Sequence, residues 1–195
     1  MTVPETLVDG PVFLVTGTPG AGKSTVARTL AARFSLGLHV DLDSLRLMVV
    51  AGFARPGFMW EPEADLQFRL ARDTAVHMVR TYSPQGFAIV VDDMLGPKGE
   101  VPPGLQDYTD LSRDRVLHPV FLKPSLEVTM ARANARGGEL LPWIAEVVPP
   151  LHGLMEAHLT TGWTVVDSSE LTVEETVDEI LARTGVRPPE DGSTD

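Results

Sequence analysis

Cysteine is absent from the 195 residues, which excludes disulfides and thiolate metal sites. Positive charge is in short supply: 16 Lys and Arg stand against 27 Asp and Glu, a net charge of −11. Bulk attraction to DNA, RNA or an anionic membrane is therefore disfavoured, although a local basic cleft remains compatible with a polyanion. Lysine is scarcer still, with Lys23, Lys98 and Lys123 beside thirteen arginines, and asparagine occurs once, at Asn134. No run of 18 apolar residues is present to cross a bilayer, and no N-terminal stretch has the charged-then-apolar order of a secretory signal. The expectation is a soluble cytoplasmic protein without a membrane partner. Internal repeats and low-complexity tracts are also missing. A hydrophobic share of 43% and a charged share of 22% are ordinary for a globular chain, and the length suits one domain with a sizeable core.

What the sequence does contain is alternation. Apolar runs at 11–16, 38–40, 87–91, 116–122 and 163–166 are separated by helical patterns at 23–34, 44–50, 63–80, 125–136 and 143–158. A last helix runs to about Arg183 behind the capping box of Thr172 and Glu175. Phe87 to Val91 is continuously apolar, as in a strand buried on both faces. Strands alternating with helices predict an α/β fold, a parallel sheet with helices on both faces. On the helix at 63–80, Leu66, Leu70, Ala71, Thr74, His77 and Met78 form the expected apolar stripe, with His77 a core histidine. Pro149-Pro150 are expected to interrupt the helix at 143–158. His118-Pro119 are expected to make the start of their strand irregular, and His118 has no evident partner. Residues 1–187 read as one domain with a short lid at about 136–150, followed by a disordered tail at 188–195.

Between the first strand and the first helix lies "GTPGAGKST", Gly17 to Thr25. Gly17, Gly22, Lys23 and Ser24 fill the fixed positions of a Walker A loop. A chance match at ordinary residue frequencies has odds on the order of 1%. Glycine lets backbone amides turn inward around phosphate oxygens, and the following helix N-terminus adds its dipole. Gly17, Thr18, Pro19, Gly20, Ala21, Gly22, Lys23, Ser24 and Thr25 are thus candidates for holding a nucleotide. In this pattern the lysine serves the β- and γ-phosphates and the hydroxyl serves Mg²⁺. Asp92, the first polar residue after the buried strand, is the candidate second metal group beside Ser24, usually acting through water. Asp93 competes for that role, and with Gly96 it imitates a GTPase switch signature.

Guanine-nucleotide switches read their base with Asn-Lys-x-Asp, which the lone Asn134 in "ARANARGG" does not supply. Ring-forming ATPases need a Glu after the Walker B Asp and a further helical domain; neither is visible. A kinase needs a lid and a base. Arg132 and Arg136, four apart on one helix face ahead of Gly137-Gly138, suit a lid that stacks on the base, clamps phosphates and excludes water. The same pair is compatible with a solvated arginine face. Asp41 and Asp43 in "HVDLDSLR" stand at a strand carboxyl end, where open α/β sheets bind ligands. Either carboxylate suits the task of taking a proton from an acceptor hydroxyl, and Asp43 is expected to cap the following helix. Phe53, Phe58, Met59 and Trp60 cluster in the loop expected to cover the acceptor, with Arg69 and Arg72 on the next helix as possible acceptor anchors or solvated surface.

Together "GTPGAGKS", "VDLDSLR", "LQFRLAR", "FAIVVDDM" and "ARANARGG" resemble the small P-loop kinases related to adenylate, shikimate and gluconate kinases, and most of all the chloramphenicol phosphotransferase-like proteins. The likeness covers residues 12–138. It implies transfer of the γ-phosphate of Mg²⁺-bound ATP to a hydroxyl. Asp43 then matches the general base, and Arg132 and Arg136 match the nucleotide-side arginines; Lys23 and Arg136 are expected to be catalytic as well, and Asp41, Trp60 and Arg69 are expected toward the acceptor. The segments "GFARPGFMWEP" and "MLGPKGEVPPG" depart from a recognisable chloramphenicol site, so the acceptor stays open, an antibiotic and a metabolite both fitting. A polynucleotide 5′-hydroxyl kinase is the alternative enzyme, and a nucleotide-binding module without transferase activity the alternative class. Both a monomer and a homodimer are compatible with the sequence.

Overall fold

The computed structural model describes residues 9–55, 62–95, 108, 111, 116–137, 141–158 and 161–189. Five strands, β1 (Val12–Thr16), β2 (Gly37–Asp41), β3 (Ala88–Asp92), β4 (Leu117–Leu122) and β5 (Thr164–Val166), form one sheet in the order β2-β3-β1-β4-β5. Every pairing in it is parallel. β1 and β3 are buried at all five positions each, as expected for central strands covered on both faces. The helices are α1 (Lys23–Ala31), α2 (Leu42–Leu47), α3 (Pro62–Tyr82), α4 (Leu126–Arg136), α5 (Leu141–His158) and α6 (Val173–Thr184).

Alternation along the strands sorts the core into two layers. Val12, Leu14, Ile89 and Val91 pack with Phe68, Ala71, Ala75 and Val79 of α3. Phe13, Val15, Val90, Val120 and Leu122 pack with Val26, Ala27 and Leu30 of α1 and with Val177 and Ile180 of α6. The α/β architecture expected from the alternation is the one observed. The capping box holds: Thr172 Oγ1 accepts from the Glu175 amide and Glu175 Oε2 accepts from the Thr172 amide. Among the described residues no helix is long and apolar enough to cross a membrane.

Several local expectations are corrected. The buried face of α3 is Ala64, Phe68, Ala71, Arg72, Ala75, Val76 and Val79, whereas Leu66, Leu70, Thr74 and His77 are exposed. His77 is therefore no core histidine; its Nδ1 lies 2.7 Å from the Asp73 carbonyl one turn back. Of the expected stripe only Ala71 is buried and Met78 half-buried, while Arg72 lies on the buried face, an outcome hydrophobicity does not signal. Helix α5 runs unbroken through Pro149-Pro150. Val148 and Met155, both fully buried on either side, anchor it where local propensity favours a break. Strand β4 is regular from Leu117, in register with β1. Pro119 lies beyond the reach of β5, which pairs only with Val120 to Leu122, so the proline sits where one side of the strand is an edge. His118 does have a partner, the Phe13 ring at 5.2 Å between centroids. In the tail, Pro188 and Pro189 carry no regular element, and residues 190–195 lie outside the described residues.

Candidate active site

The candidate site forms where β1, β3 and β2 end side by side. Register pairs Val15 with Asp92 and Asp41 with Asp92, so the glycine-rich loop after β1 and the acidic turns after β3 and β2 share one sheet edge. This is the carboxyl side, where open parallel sheets place ligands.

Two glycines explain the shape of the loop. Gly20 has φ 90°, and a Cβ there would stand 2.5 Å from the Thr129 carbonyl oxygen of α4. The loop therefore packs directly on α4, which only a residue without a side chain allows. Gly22, with φ 96°, caps α1 in the left-handed conformation. The Ala21 amide closes a turn on the Thr18 carbonyl at 3.0 Å, and Lys23 Nζ donates to the same carbonyl at 3.4 Å. Lys23 is thus folded over its own loop, while Ser24 and Thr25 are exposed at the first turn of α1. Of the rest, Pro19 is half-buried, and Gly17 and Thr18 are buried against the sheet end.

Close packing at Gly20 also delivers Arg132. It lies three residues beyond Thr129 on α4, and its Nη1 is 4.0 Å from where a Gly22 Cβ would be. Arg132 Nη2 donates to the Ser168 carbonyl at 2.9 Å, tying the glycine loop to the segment after β5. Arg136, one turn later, is exposed and has no ion pair among the described residues. Gly137 ends α4 with a positive φ of 66°, at the start of the expected lid, of which 138–140 lie outside the described residues.

Strand parity separates the two aspartates after Val91. Asp92 faces the α1 side of the sheet. Burial pushes its carboxyl up, but the imidazole of His39, the charge of Lys23 and the hydroxyl of Ser24 outweigh it and hold it below the usual carboxylate value. It is therefore ionised at neutral pH. Asp93 turns to the α3 side, where Arg72 Nε donates to its Oδ2 at 2.7 Å and the Tyr108 hydroxyl donates at 3.2 Å. Asp93 is thereby engaged in a buried ion pair, which leaves Asp92 beside the loop.

The residues present suit Mg²⁺. Asp92 is a buried carboxylate beside the Lys23 and Ser24 that shift it. A hydroxyl and one carboxylate are hard oxygen donors, and Mg²⁺ characteristically fills its remaining positions with water and phosphate.

At the end of β2 the expected cap is corrected. Asp41, not Asp43, caps α2: its Oδ1 accepts from the amides of Asp43 at 3.0 Å and Ser44 at 3.4 Å, and its Oδ2 accepts from the Ser44 hydroxyl at 2.6 Å. Asp41 ends the strand with extended backbone, the conformation a cap needs. Asp43 is thereby released from capping. Its side chain is 74% exposed, 3.5 Å from Arg46 Nη1. Arg46 is buried, its guanidinium carbon 3.6 Å above the Phe68 ring centroid and 5.3 Å from that of Phe53, and it donates to the Ala54 carbonyl at 2.9 Å.

Two residues that line this edge, Arg46 and His39, carried no expectation, and Arg72, expected as an acceptor anchor or solvated surface, is buried and paired with Asp93. Arg46 and Arg72 are both buried, their guanidinium carbons 3.6 Å and 5.4 Å from the Phe68 ring centroid. His39 sits in the middle of β2 within 3.6 Å of Asp92. A polar residue inside "GLHVD", two positions before Asp41 and hence on the same strand face, was the available signal. By contrast, Arg69 lies at the surface of α3, its side chain 58% exposed and 3.9 Å from Asp65. Trp60, with Phe58 and Met59, lies outside the described residues.

A family model for chloramphenicol phosphotransferase-like proteins matches residues 10–184. Among solved structures, a tunicamycin resistance protein of Deinococcus radiodurans is 18% identical at TM-score 0.68, covering 93% of this chain and 99% of that one. A shikimate kinase of Bacteroides thetaiotaomicron is 17% identical at TM-score 0.61, covering 90% and 99%. The APS kinase of Mycobacterium tuberculosis, in complex with AMPPNP and APS, is 17% identical at TM-score 0.55, covering 91% and 99%. At these identities the likeness is one of fold, that of P-loop kinases. No curated protein sequence matches the chain.

Proposed function

This chain belongs to the chloramphenicol phosphotransferase-like family, a P-loop kinase-type group, and from that premise we propose that it moves the γ-phosphoryl group of ATP to a hydroxyl of a compact small molecule. The observation that carries the reading is the convergence of the Gly17–Ser24 loop, Asp92 and Asp43 on one sheet edge, with Arg132 held against the loop. Gly17 to Thr25 cradle the phosphates, and Lys23 leaves the Thr18 carbonyl for the β- and γ-oxygens. Ser24 and Asp92 would hold Mg²⁺, whose charge would offset the negative charge of the phosphates. Asp43 takes the proton of the acceptor hydroxyl as that oxygen bonds to the γ-phosphorus and the bond to the leaving ADP oxygen breaks. Arg132 steadies the nucleotide. Arg136 meets charge building on the leaving phosphate as the segment at about 136–150 closes within the single domain 1–187. Asp41 holds α2 and Asp43 in place beside the acceptor. Trp60 and Arg69 complete the acceptor side of this reading.

Net charge of −11 and a single loop lysine favour a small acceptor over a nucleic acid strand, which would need a basic track. The test is a panel of hydroxyl-bearing antibiotics and metabolites scored for acceptor-dependent ADP release, with Lys23→Ala as blank. Acceptor-dependent release, absent in the blank, is expected. Slow hydrolysis that no compound stimulates would leave a nucleotide-binding module. Efficient labelling of 5′-hydroxyl oligonucleotides above any small hydroxyl compound would make it a polynucleotide kinase.

A further inference from the structure

His39 Nε2 and Asp92 Oδ2 are both buried, both without a hydrogen-bond partner, and 3.6 Å from each other. Two orphaned polar atoms facing one another in a sheet interior are a costly arrangement unless they serve each other. At 3.6 Å the contact is too long for a hydrogen bond, and a charge-assisted N–H···O bond closes at about 2.7–2.9 Å. Catalytic hydrogen bonds are often long in the empty enzyme and tighten once the ligand is bound. The fold leaves little choice of contact. His39 stands opposite Val90, two residues before Asp92, with its side chain 13% exposed, and the imidazole lies under the carboxylate on the face that carries α1.

We infer that His39 is a positioning residue for Asp92: its Nε2–H donates to Oδ2, fixing the carboxylate so that its other oxygen is presented to the hydrated Mg²⁺ of the nucleotide complex. The inference rests on the proposed nucleotide site and adds to it a residue outside the Walker patterns. It assigns His39 no proton transfer and no contact with substrate. Groups that orient a metal-binding carboxylate typically change metal affinity by about 10- to 100-fold when removed.

The test is calorimetric binding of a non-hydrolysable ATP analogue, with Mg²⁺ titrated and with the metal chelated. His39→Ala should raise the Mg²⁺ concentration for half-maximal tightening by about tenfold or more, yet leave metal-free binding within about twofold. His39→Gln, whose amide nitrogen reaches the place of Nε2, should recover most of the difference. Thermal unfolding of both variants separates folding from binding. An unchanged Mg²⁺ requirement in His39→Ala, or equal loss with and without metal, would overturn the inference while the nucleotide site stands. If His39→Ala fails to fold, His39→Gln with a requirement like the wild type supports the inference and one raised about tenfold overturns it. A wild-type protein that binds the analogue under neither condition would remove the site reading and this inference together.

Discussion

Arg72→Met should be among the most damaging single changes outside the phosphate loop. Arg72 and Asp93 are 3% and 2% exposed, and their closest N–O distance is 2.7 Å. At an effective dielectric of about 20, that distance corresponds to roughly 6 kcal/mol of gross attraction. Desolvation of both charges offsets much of it. Removing one partner nevertheless strands the other, and measured losses of that kind are about 3–5 kcal/mol. Typical domains are stable by only about 5–15 kcal/mol. With a urea slope of about 2–3 kcal/mol/M, the unfolding midpoint should fall by about 1–2.5 M. Adding Asp93→Asn should recover part of the loss, because the amide is neutral and still accepts from Tyr108. The pH dependence has a definite sign. Burial pushes the Asp93 carboxyl above its ordinary value, against the pull of Arg72 and Tyr108. A carboxyl raised in the fold is favoured there in its protonated form, so its contribution is present at low pH and lost as pH rises through the folded value. Without Arg72 the upward push is stronger, and the deficit of the variant should be smaller at pH 5 than at pH 8. Circular dichroism in urea at both values measures this. A deficit under about 1 kcal/mol that ignores pH would refute the assignment of a buried, mutually dependent pair.

Asp43→Asn should lower turnover by about 10²- to 10⁴-fold with nucleotide binding nearly intact, since an amide keeps the shape but takes no proton; equal rates on a true acceptor would remove Asp43 as base. The cap should survive this change, because Asp41 performs it, so thermal stability is expected to hold. Arg132→Ala should mainly raise the ATP concentration required, and Arg136→Ala should mainly lower turnover; steady-state kinetics with the opposite pattern would exchange their roles. Burial lowers the pKa of His118, so the fold favours its neutral form. That contribution is full above the unfolded value of about 6.5 and is lost as pH falls below it. Between pH 7 and 5.5 the wild type should therefore lose stability more steeply than His118→Gln, and parallel curves in urea titrations would contradict this.

The phosphate loop, the strand–helix alternation and the capping box were legible in the sequence because each is local. A glycine that must adopt positive φ, an apolar run and a capping pair are decided within a few residues of themselves. So was the identity of the acidic candidates at strand ends. Tertiary structure alone decided what each acid meets. Asp92 and Asp93 are neighbours in the chain, and only the packing of α1 on one sheet face and α3 on the other sends the first to Lys23 and Ser24 and the second to Arg72. The cap passed from Asp43 to Asp41 because β2 holds its pairing with β3 through Asp41, whose register partner is Asp92, a long-range constraint that fixes where α2 begins. His39 gained a partner, and Arg72 a place inside α3's buried face, through contacts 53 and 21 residues away in sequence. Hydrophobic periodicity records how a residue meets water, whereas a buried charge is decided by the opposite charge that the fold brings to it.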